Sequence, residues 1–284
     1  MSEPNRRRLA LLARAPNLSA AQLRAMAAAD ASLGIVERAQ AAALAPFDLT
    51  TPTRDWLLAP DAARLDLDEA WLDSAGAVLL PATSPHYPPL LAQLPDAPAV
   101  LYVRGDVAVL SEPQLAMVGS RTPTAGGRDI ARHFATRFAR AGLGITSGLA
   151  FGIDTASHEG ALAGGGVTIA VLGCGLDAIY PSQNRALADR IAASGAVISE
   201  FPPGAPPRPA HFPQRNRLIA GLSAGTLVVE AACRSGSLIT ARLAGVAGRE
   251  VFAIPGSIHN ERVRGCHELI RQGAKLVETP EDVL

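Results

Sequence analysis

The sequence predicts an α/β protein in which a small all-helical domain precedes a larger domain built on a parallel β-sheet. Two patterns along the 284 residues predict this division. Residues 1–80 are rich in alanine, leucine and charged residues at helical spacing, as in Ala20–Met26. From Val100 onward, short β-branched runs alternate with amphipathic segments, which is the pattern of βαβ units.

The helical domain is expected to span residues 1–80. Prolines at positions 16, 46, 52 and 60 should divide it into four or five short helices. Residues 81–99 are dense in proline, including Pro85, Pro88 and Pro89, and are expected to form an extended connection. The sheet domain then takes residues 100–284.

Eight segments of the second domain have the length and composition of strands. They are Val100–Val103, Leu115–Val118, Gly144–Ser147, Val167–Leu172, Ala196–Ser199, Thr226–Val229, Val251–Ile254 and Lys275–Val277. Small or glycine-containing turns follow several of them. In an open parallel sheet the carboxyl ends of the strands meet at one edge, where such turns expose backbone N–H groups and helices begin. We therefore expect an anion-binding edge.

Positive charge is concentrated late in the chain, although the formal net charge is zero. Residues 208–275 hold 10 basic and 4 acidic residues, whereas residues 1–80 hold 8 basic and 10 acidic residues. Of the 26 basic residues, only Lys275 is a lysine. The planar guanidinium of arginine suits phosphates and stacked bases, so the second domain is the expected site of any polyanion.

Several classes of protein are disfavoured by what the sequence lacks. The cysteines Cys174, Cys233 and Cys266 are an odd number at wide spacing, which argues against disulfides and zinc and favours a cytoplasmic protein with reduced thiols. No apolar run reaches the roughly 18 residues of a membrane span, so no membrane partner is expected. Walker A, H-E-x-x-H, G-x-S-x-G and dinucleotide-binding motifs are missing. We expect no catalytic residue, no cofactor and no metal.

Two turns after strands carry candidate binding residues. Gly119-Ser120-Arg121 either binds a phosphate or is a tight turn with a surface arginine. Ser147 and Gly148 open a second such turn, in which Phe151 can stack on a base or pack in the core. Asp154, at its end, is interpreted as a cap of the following helix.

The segment His211–Gly221 is the most informative one. It places Arg215, Asn216 and Arg217 at the start of an apolar helix, where they suit phosphates or stacked bases. A solvated helix start can use the same charges.

A third helix start follows the strand that ends near Val229. Ser235 and Gly236 there resemble an anion cradle at a helix N-terminus. Glu230, just before them, is the one carboxylate placed for chemistry. We expect instead that it pairs with a nearby arginine and holds the edge together.

Seven segments together resemble the DNA-processing protein A (DprA/Smf) family in order, spacing and content. They are Val118–Arg121, Ser147–Asp154, Ile169–Pro181, Ser199–Gly204, Phe212–Ser223, Arg234–Ala241 and Ala253–Ser257. The resemblance covers about residues 86–284, whereas residues 1–80 are similar only in being helical.

The resemblance implies an extended Rossmann-like domain, preceded by a small SAM-like helical domain, that binds single-stranded DNA in a basic pocket. It further implies a homodimer, formed through the helix that carries Leu269 and Ile270, which protects incoming DNA and loads the RecA recombinase in natural transformation or related recombination. Carried onto this sequence, the DNA-binding residues would be Ser120, Arg121, Ser147, Gly148, Arg185, Arg215, Asn216, Arg217, Ser235 and Gly236.

An enzyme of related fold is the alternative. Phosphoribohydrolases that act on nucleoside monophosphates share a Rossmann-like architecture, and Arg121 and Glu230 could serve as substrate clamp and acid/base. The Pro-Gly-Gly-x-Gly-Thr motif of those enzymes is missing here. A purely structural scaffold fits poorly with so many anion-binding turns.

Overall fold

The N-terminal part is helical in the computed structural model, which describes residues 3–37 and 40–284. Its α-helices are α1 (Glu3–Arg14), α2 (Ala20–Ala29), α3 (Ala41–Leu44), α4 (Thr51–Leu58) and α5 (Ala62–Ala75). Side-chain caps fix several of the starts. Ser19 and Gln22 form a reciprocal capping box on α2, and Asp61 accepts from the Arg64 backbone N–H at the start of α5.

A single sheet of nine strands follows within the described residues. The strands are β1 (Ala77–Pro81), β2 (Val100–Gly105), β3 (Gln114–Val118), β4 (Gly144–Ser147), β5 (Thr168–Val171), β6 (Ala196–Ser199), β7 (Gly225–Val228), β8 (Glu250–Ala253) and β9 (Lys275–Leu276). Their order is β1-β2-β6-β5-β4-β3-β7-β8-β9. Strands β3 to β9 are parallel, whereas β1 and β2 form an antiparallel extension beside β6. The predicted α/β class is confirmed.

Helices connect the parallel strands. They are α6 (Ala125–Arg140), α7 (Ile153–Ala163), α8 (Arg185–Ser194), α9 (His211–Leu222), α10 (Ser237–Val246) and α11 (Arg264–Arg271). Each follows the carboxyl end of a strand, so the turns that precede these helices collect at one edge of the sheet.

Strand β1 is the element that the sequence does not predict. The eight predicted strands correspond to β2 to β9, and each observed strand end lies within two residues of the predicted one. Ala77–Pro81 is a short apolar run directly after α5, and periodicity alone does not distinguish such a run from the end of a buried helix. It pairs with β2 and lies across the predicted boundary at residue 80. The division into residues 1–80, 81–99 and 100–284 stays a prediction.

The core lies on both faces of the sheet. Successive side chains of β3 alternate between two apolar clusters: Leu115 and Met117 belong to one, and Ala116 and Val118 to the other. The cluster of Ala116 and Val118 also contains buried residues of the N-terminal helices, including Leu9, Leu12, Leu23, Met26 and Leu72. The N-terminal helices therefore share a core with the sheet.

The arginines of α1 are neutralised by acidic side chains. Arg6 pairs with Asp73 at 2.5 Å, Arg7 with Asp66 and Glu69 at 2.7 Å each, and Arg8 with Glu37 at 2.8 Å. These ion pairs connect the start of α1 with α5 and with the segment that carries Glu37. Their charge is consequently not available as a binding patch for a polyanion.

One further pair joins the helices to the sheet. Arg14 donates from Nη2 to Asp68 Oδ1 at 2.6 Å and to the carbonyl of Pro203 at 2.8 Å. The side chain of Asp68 is only 2% exposed. Because Pro203 lies in the loop after β6, the guanidinium connects α1, α5 and that loop.

Replacing Asp68 with alanine is expected to lower the free energy of unfolding by about 2 kcal/mol, because the half-buried Arg14 guanidinium would lose its charged hydrogen-bond partner. Urea denaturation followed by circular dichroism measures this. Asp73→Ala is the matched control: it breaks an exposed pair with Arg6, and should cost less than about 1 kcal/mol. Equal losses for the two variants would contradict the assigned role of Asp68.

Candidate functional site

A cavity of about 590 Å³ opens at the carboxyl edge of the sheet. The turns after β3, β4 and β7 and the first half of α9 form its walls. The lining residues are Val118, Gly119, Arg121, Ala150, Asp154, Tyr180, Pro209, Phe212, Pro213, Arg215, Asn216, Ile219, Ser235, Gly236, Ser237, Ile239 and Thr240. The position at strand carboxyl ends is the one predicted from the sequence.

Arg121 supplies an exposed positive charge at the mouth of this cavity. Its guanidinium carbon lies 5.4 Å from the centroid of the Phe212 ring, within the range of a cation–π contact. The Tyr180 ring lies 5.7 Å from the same ring. Ser120, which precedes Arg121, is half-buried. Its backbone N–H donates a hydrogen bond to the Glu230 carbonyl at 2.6 Å. The cation and the aromatic rings are therefore presented together.

The first turn of α10 forms the opposite wall. Ser235 and Ser237 are joined through their hydroxyls at 2.7 Å, and Asn216 donates from Nδ2 to the Gly236 carbonyl at 3.4 Å. The backbone N–H groups of Ser237 and of the two residues after it already donate to Ser235 and Gly236, and the wall carries the positive end of the α10 dipole. This wall is consequently suited to a phosphate group.

Arg215 forms part of the cavity floor and is almost completely buried there. The residue is 4% exposed, and Nη1 donates to the carbonyl of Gly148 at 2.8 Å and to that of Val171. Burial lowers its pKa to about 10, against the opposing effect of Asp154, so it is charged at neutral pH. We conclude that its charge acts within the fold, on the ends of β4 and β5.

Asp154 is a buried acidic residue under the same turn. Its Oδ2 accepts from the backbone N–H of Gly148 at 3.1 Å and of Ala150 at 3.2 Å. Burial raises the pKa of this carboxyl, while the charge of Arg215 and these two hydrogen bonds oppose that shift. Asp154 lies in the first turn of α7 and accepts from N–H groups before that helix, which agrees with the capping interpretation.

Ser147 and Gly148 are also internal. The Ser147 hydroxyl is fully buried and donates to the Met117 carbonyl at 2.6 Å. A Cβ added at Gly148 would lie 2.6 Å from Arg215 Nη2, so glycine is required for the close approach of the guanidinium. Both residues shape the floor beneath the cavity.

Arg217 projects away from the cavity. Side chains two positions apart on an α-helix point about 200° apart, so Arg217 points in a different direction from Arg215. It pairs with Glu200 and, at 3.3 Å, with Asp96, and lines a separate cavity of about 490 Å³ beside the end of α1. Burial raises the pKa of Glu200 to about 7, and the charge of Arg217 opposes that rise.

The remaining predicted residues lie outside the cavity. Arg185 is exposed at the first position of α8, beyond the lining residues. In α11, Leu269 is buried in the core of the chain itself and Ile270 is half-buried. Contact between copies through Leu269 and Ile270 stays a prediction, as do the individual DNA-binding roles.

Glu230 holds two turns together. It is 2% exposed, and its carboxylate accepts from the Thr124 N–H at 2.8 Å and from Asn260 Nδ2 at 3.4 Å. Its partners are thus a backbone amide and an asparagine, where an arginine had been expected. The carboxylate is engaged between the turns after β3 and β8.

Two lining residues, Phe212 and Tyr180, were not among the predicted site residues. Both are aromatic and both stand near helix starts after strands. The sequence signal that could have identified them is an aromatic residue near a helix start and close to a basic residue. Tyr180 is 47% exposed, and exposure was not readable from the sequence.

Five exposed arginines form what we call the arginine edge. None of them has an ion pair within residues 3–37 and 40–284, and each follows a different strand: β3, β5, β6, β7 or β8. They are Arg121, Arg185, Arg208, Arg234 and Arg262. From β6 to β8 the sheet spans five strand intervals, roughly 24 Å. The carboxyl edge therefore carries unpaired positive charge although the chain as a whole is neutral.

Among the described residues, no group of three or more histidine, cysteine, aspartate or glutamate side chains could hold a metal ion. In that part of the chain, no helix has the length and apolar character needed to cross a membrane.

Comparison with known proteins identifies a family to which this chain is similar. Residues 78–284 match the family described as DNA recombination-mediator protein A. Protein Smf of Escherichia coli (strain K12) is 50% identical over 215 residues, which cover 75% of this chain and 58% of Smf. The aligned part is thus less than two thirds of that relative.

Two solved structures are similar. The X-ray structure of DNA processing protein A (DprA) from Streptococcus pneumoniae has a TM-score of 0.84 and 37% identity, covering 100% of this chain and 98% of that one. DprA from Helicobacter pylori, solved to study its single-stranded DNA binding mode, has a TM-score of 0.67 and 31% identity, covering 73% of this chain and 93% of that one.

Replacing Arg215 with methionine is expected to lower the free energy of unfolding by about 3 kcal/mol, because the buried carbonyls of Gly148 and Val171 would lose their charged donor. Chemical denaturation measures the loss. Arg121→Met removes an equal charge from an exposed position and should change stability by no more than about 0.5 kcal/mol. A fully stable Arg215→Met protein would show that this side chain does not hold the floor.

Proposed function

This chain belongs to the DNA recombination-mediator protein A family, and from that premise we propose that it binds single-stranded DNA along the arginine edge and passes the strand to the RecA recombinase. The chain would thereby protect incoming DNA in natural transformation or a related recombination process. No bond is broken in this mechanism. The observation that carries the proposal is the unpaired arginine edge around a cavity with an aromatic wall.

The phosphates of the strand are the first element of recognition. The guanidinium of Arg121 and the first turn of α10, with Ser235 and Gly236, lie on two sides of the cavity and both favour an anion. Arg234 directly precedes that turn and extends the positive surface. A backbone clamped in this way is bound with little dependence on base sequence.

The bases are the second element. Phe212 and Tyr180 line the same cavity as Arg121 and offer ring faces to unpaired bases. Bases of a duplex are already stacked on each other and are not available to such rings, whereas those of a single strand are. This combination of rings and cations supports single-stranded DNA as the ligand.

The position of Glu230 supports binding over catalysis. A phosphoribohydrolase would need a carboxylate free to exchange a proton with its substrate. Glu230 is buried and already accepts from Thr124 and Asn260. The same engagement stabilises the turns that carry Arg121 and Arg262.

We further propose that two copies act together. The amphipathic helix α11 places Ile270 half-buried at the surface, near the end of the sheet formed by β8 and β9. A contact there would bring the arginine edges of two copies onto one strand, or hold two strands, with RecA nucleating on the presented DNA.

Wild-type protein is expected to bind a labelled single-stranded oligonucleotide with an affinity that falls steeply with salt. Arg121→Ala/Arg234→Ala should bind about tenfold or more weakly at low salt, with a slope of log K against log salt that is shallower by roughly 0.7 per lost phosphate contact. Fluorescence anisotropy at several salt concentrations measures both.

Arg6→Ala/Arg7→Ala is the matched control, because it removes the same formal charge from the paired arginines of α1. It should retain wild-type affinity. Wild-type binding that does not change with salt, or equal losses in the two double variants, would be inconsistent with the arginine edge as the DNA site.

The transfer to RecA has a separate readout. Wild-type protein is expected to shorten the lag before RecA hydrolyses ATP on a single strand coated with single-strand binding protein, and Arg121→Ala/Arg234→Ala is expected not to. Binding without any shortened lag would remove the RecA step and leave DNA binding standing.

A further inference from the structure

We propose that Phe151 and Tyr180 form an exposed platform on which one base of the strand stacks, next to the phosphate held at Arg121. The inference rests on the proposed function and adds a base-binding subsite to it. It assigns a role to Phe151, which is outside the lining of the large cavity.

The first observation is exposure. Phe151 is 44% exposed and Tyr180 is 47% exposed, whereas their apolar neighbours Leu149 and Ile153 are completely buried. Aromatic rings contribute to a core by burial, which neither ring achieves here. The sequence left open whether Phe151 packs in the core or stacks on a base, and its exposure argues against core packing.

The second observation is that both rings border one cleft. Gly148, Phe151 and Pro181 line this cleft and not the large cavity. The rest of its lining, including Arg121, Tyr180 and Phe212, is shared, so the cleft is a side branch of the large cavity. A guanidinium and two exposed rings beside each other match the phosphate and base of a nucleotide.

The third observation is that the backbone before Phe151 is fixed. The Leu149 carbonyl accepts from Asn184 Nδ2 at 2.8 Å, and the Ala150 carbonyl accepts from the Thr155 hydroxyl at 2.8 Å. Leu149 has a φ of +58°, a left-handed conformation that residues other than glycine adopt rarely and that concentrates at functional sites.

The backbone after Phe151 is fixed as well. Gly152 has a φ of +82°, and a Cβ there would lie 2.3 Å from the Ser120 carbonyl oxygen. The turn of Phe151 is thus packed directly against the turn of Arg121. The backbone positions that carry the ring and the cation are therefore fixed relative to each other, so little backbone ordering is left to occur on binding.

The size of the cleft decides how a base would bind. At about 30 Å³ it is too small to enclose a base. The base would therefore lie over the exposed ring faces and keep its hydrogen-bonding edge free. Such stacking accepts every base, in agreement with binding that depends little on sequence.

Two oligonucleotides of equal length and charge isolate this contribution: a 12-residue oligothymidylate and a 12-residue strand of abasic sites. Anisotropy titrations with wild type should show tighter binding of the strand that has bases. Phe151→Ala should weaken that binding about tenfold, within a range of fivefold to a hundredfold for a lost stacking contact, and leave abasic binding unchanged. Phe151→Tyr should restore it.

Leu67→Ala is the matched control, because Leu67 is an exposed apolar residue of α5 and is 67% exposed. It should behave as wild type with both strands. Thermal melting by circular dichroism, together with sedimentation of each variant, verifies that fold and oligomeric state are unchanged.

The outcomes separate the platform from the proposed function. If wild type binds neither strand, both fail. If wild type binds both strands equally, or Phe151→Ala binds as wild type does, the platform is overturned while DNA binding stands. A loss in Phe151→Ala that is equal for the two strands, or a change in its oligomeric state, would also overturn the platform, because the ring would then act on the turn or between copies.

Discussion

The buried guanidinium of Arg215, with the buried carboxyl of Asp154 under the same turn, is the group on which the carboxyl edge depends. Taking two charges out of water is costly, and it is tolerated only where hydrogen bonds satisfy the groups. Here the guanidinium donates to carbonyls at the ends of β4 and β5, while the carboxylate accepts from the amides of Gly148 and Ala150. The hydrogen bonds of Arg215 fix α9 to the turn that carries Phe151. They therefore determine the shape of the large cavity and of the small cleft beside Phe151.

Much of the fold was predictable from pattern, because parallel strands between helices are short, apolar and followed by small turns. Strand β1 was not, since its five residues continue the apolar character of α5 and its partner β2 is distant in sequence. The location of the site at the carboxyl edge followed from topology. Which side chains face it did not, because that depends on the rotation of each helix about its axis.

Arg215, Asn216 and Arg217 show this limit. Three polar residues in succession on a helix point in three directions separated by about 100° each. One braces the floor, one borders the cavity, and one pairs with Glu200 on another surface. Only the position of α9 relative to the sheet decides among them. Ser147 is a similar case, since its alternation along β4 places the hydroxyl inside the sheet.

The chain as a whole is neutral, but its arginines differ in whether acidic side chains pair with them. The arginines of α1 are engaged with acidic residues of the helical part, whereas the five of the arginine edge have no ion pair within residues 3–37 and 40–284. Lys275 is the only lysine, so this edge is made of arginine alone. A guanidinium remains protonated throughout the physiological pH range and is not a substrate for lysine acetylation. The charge of the arginine edge is therefore insensitive to both, and counterions or competing anions screen it.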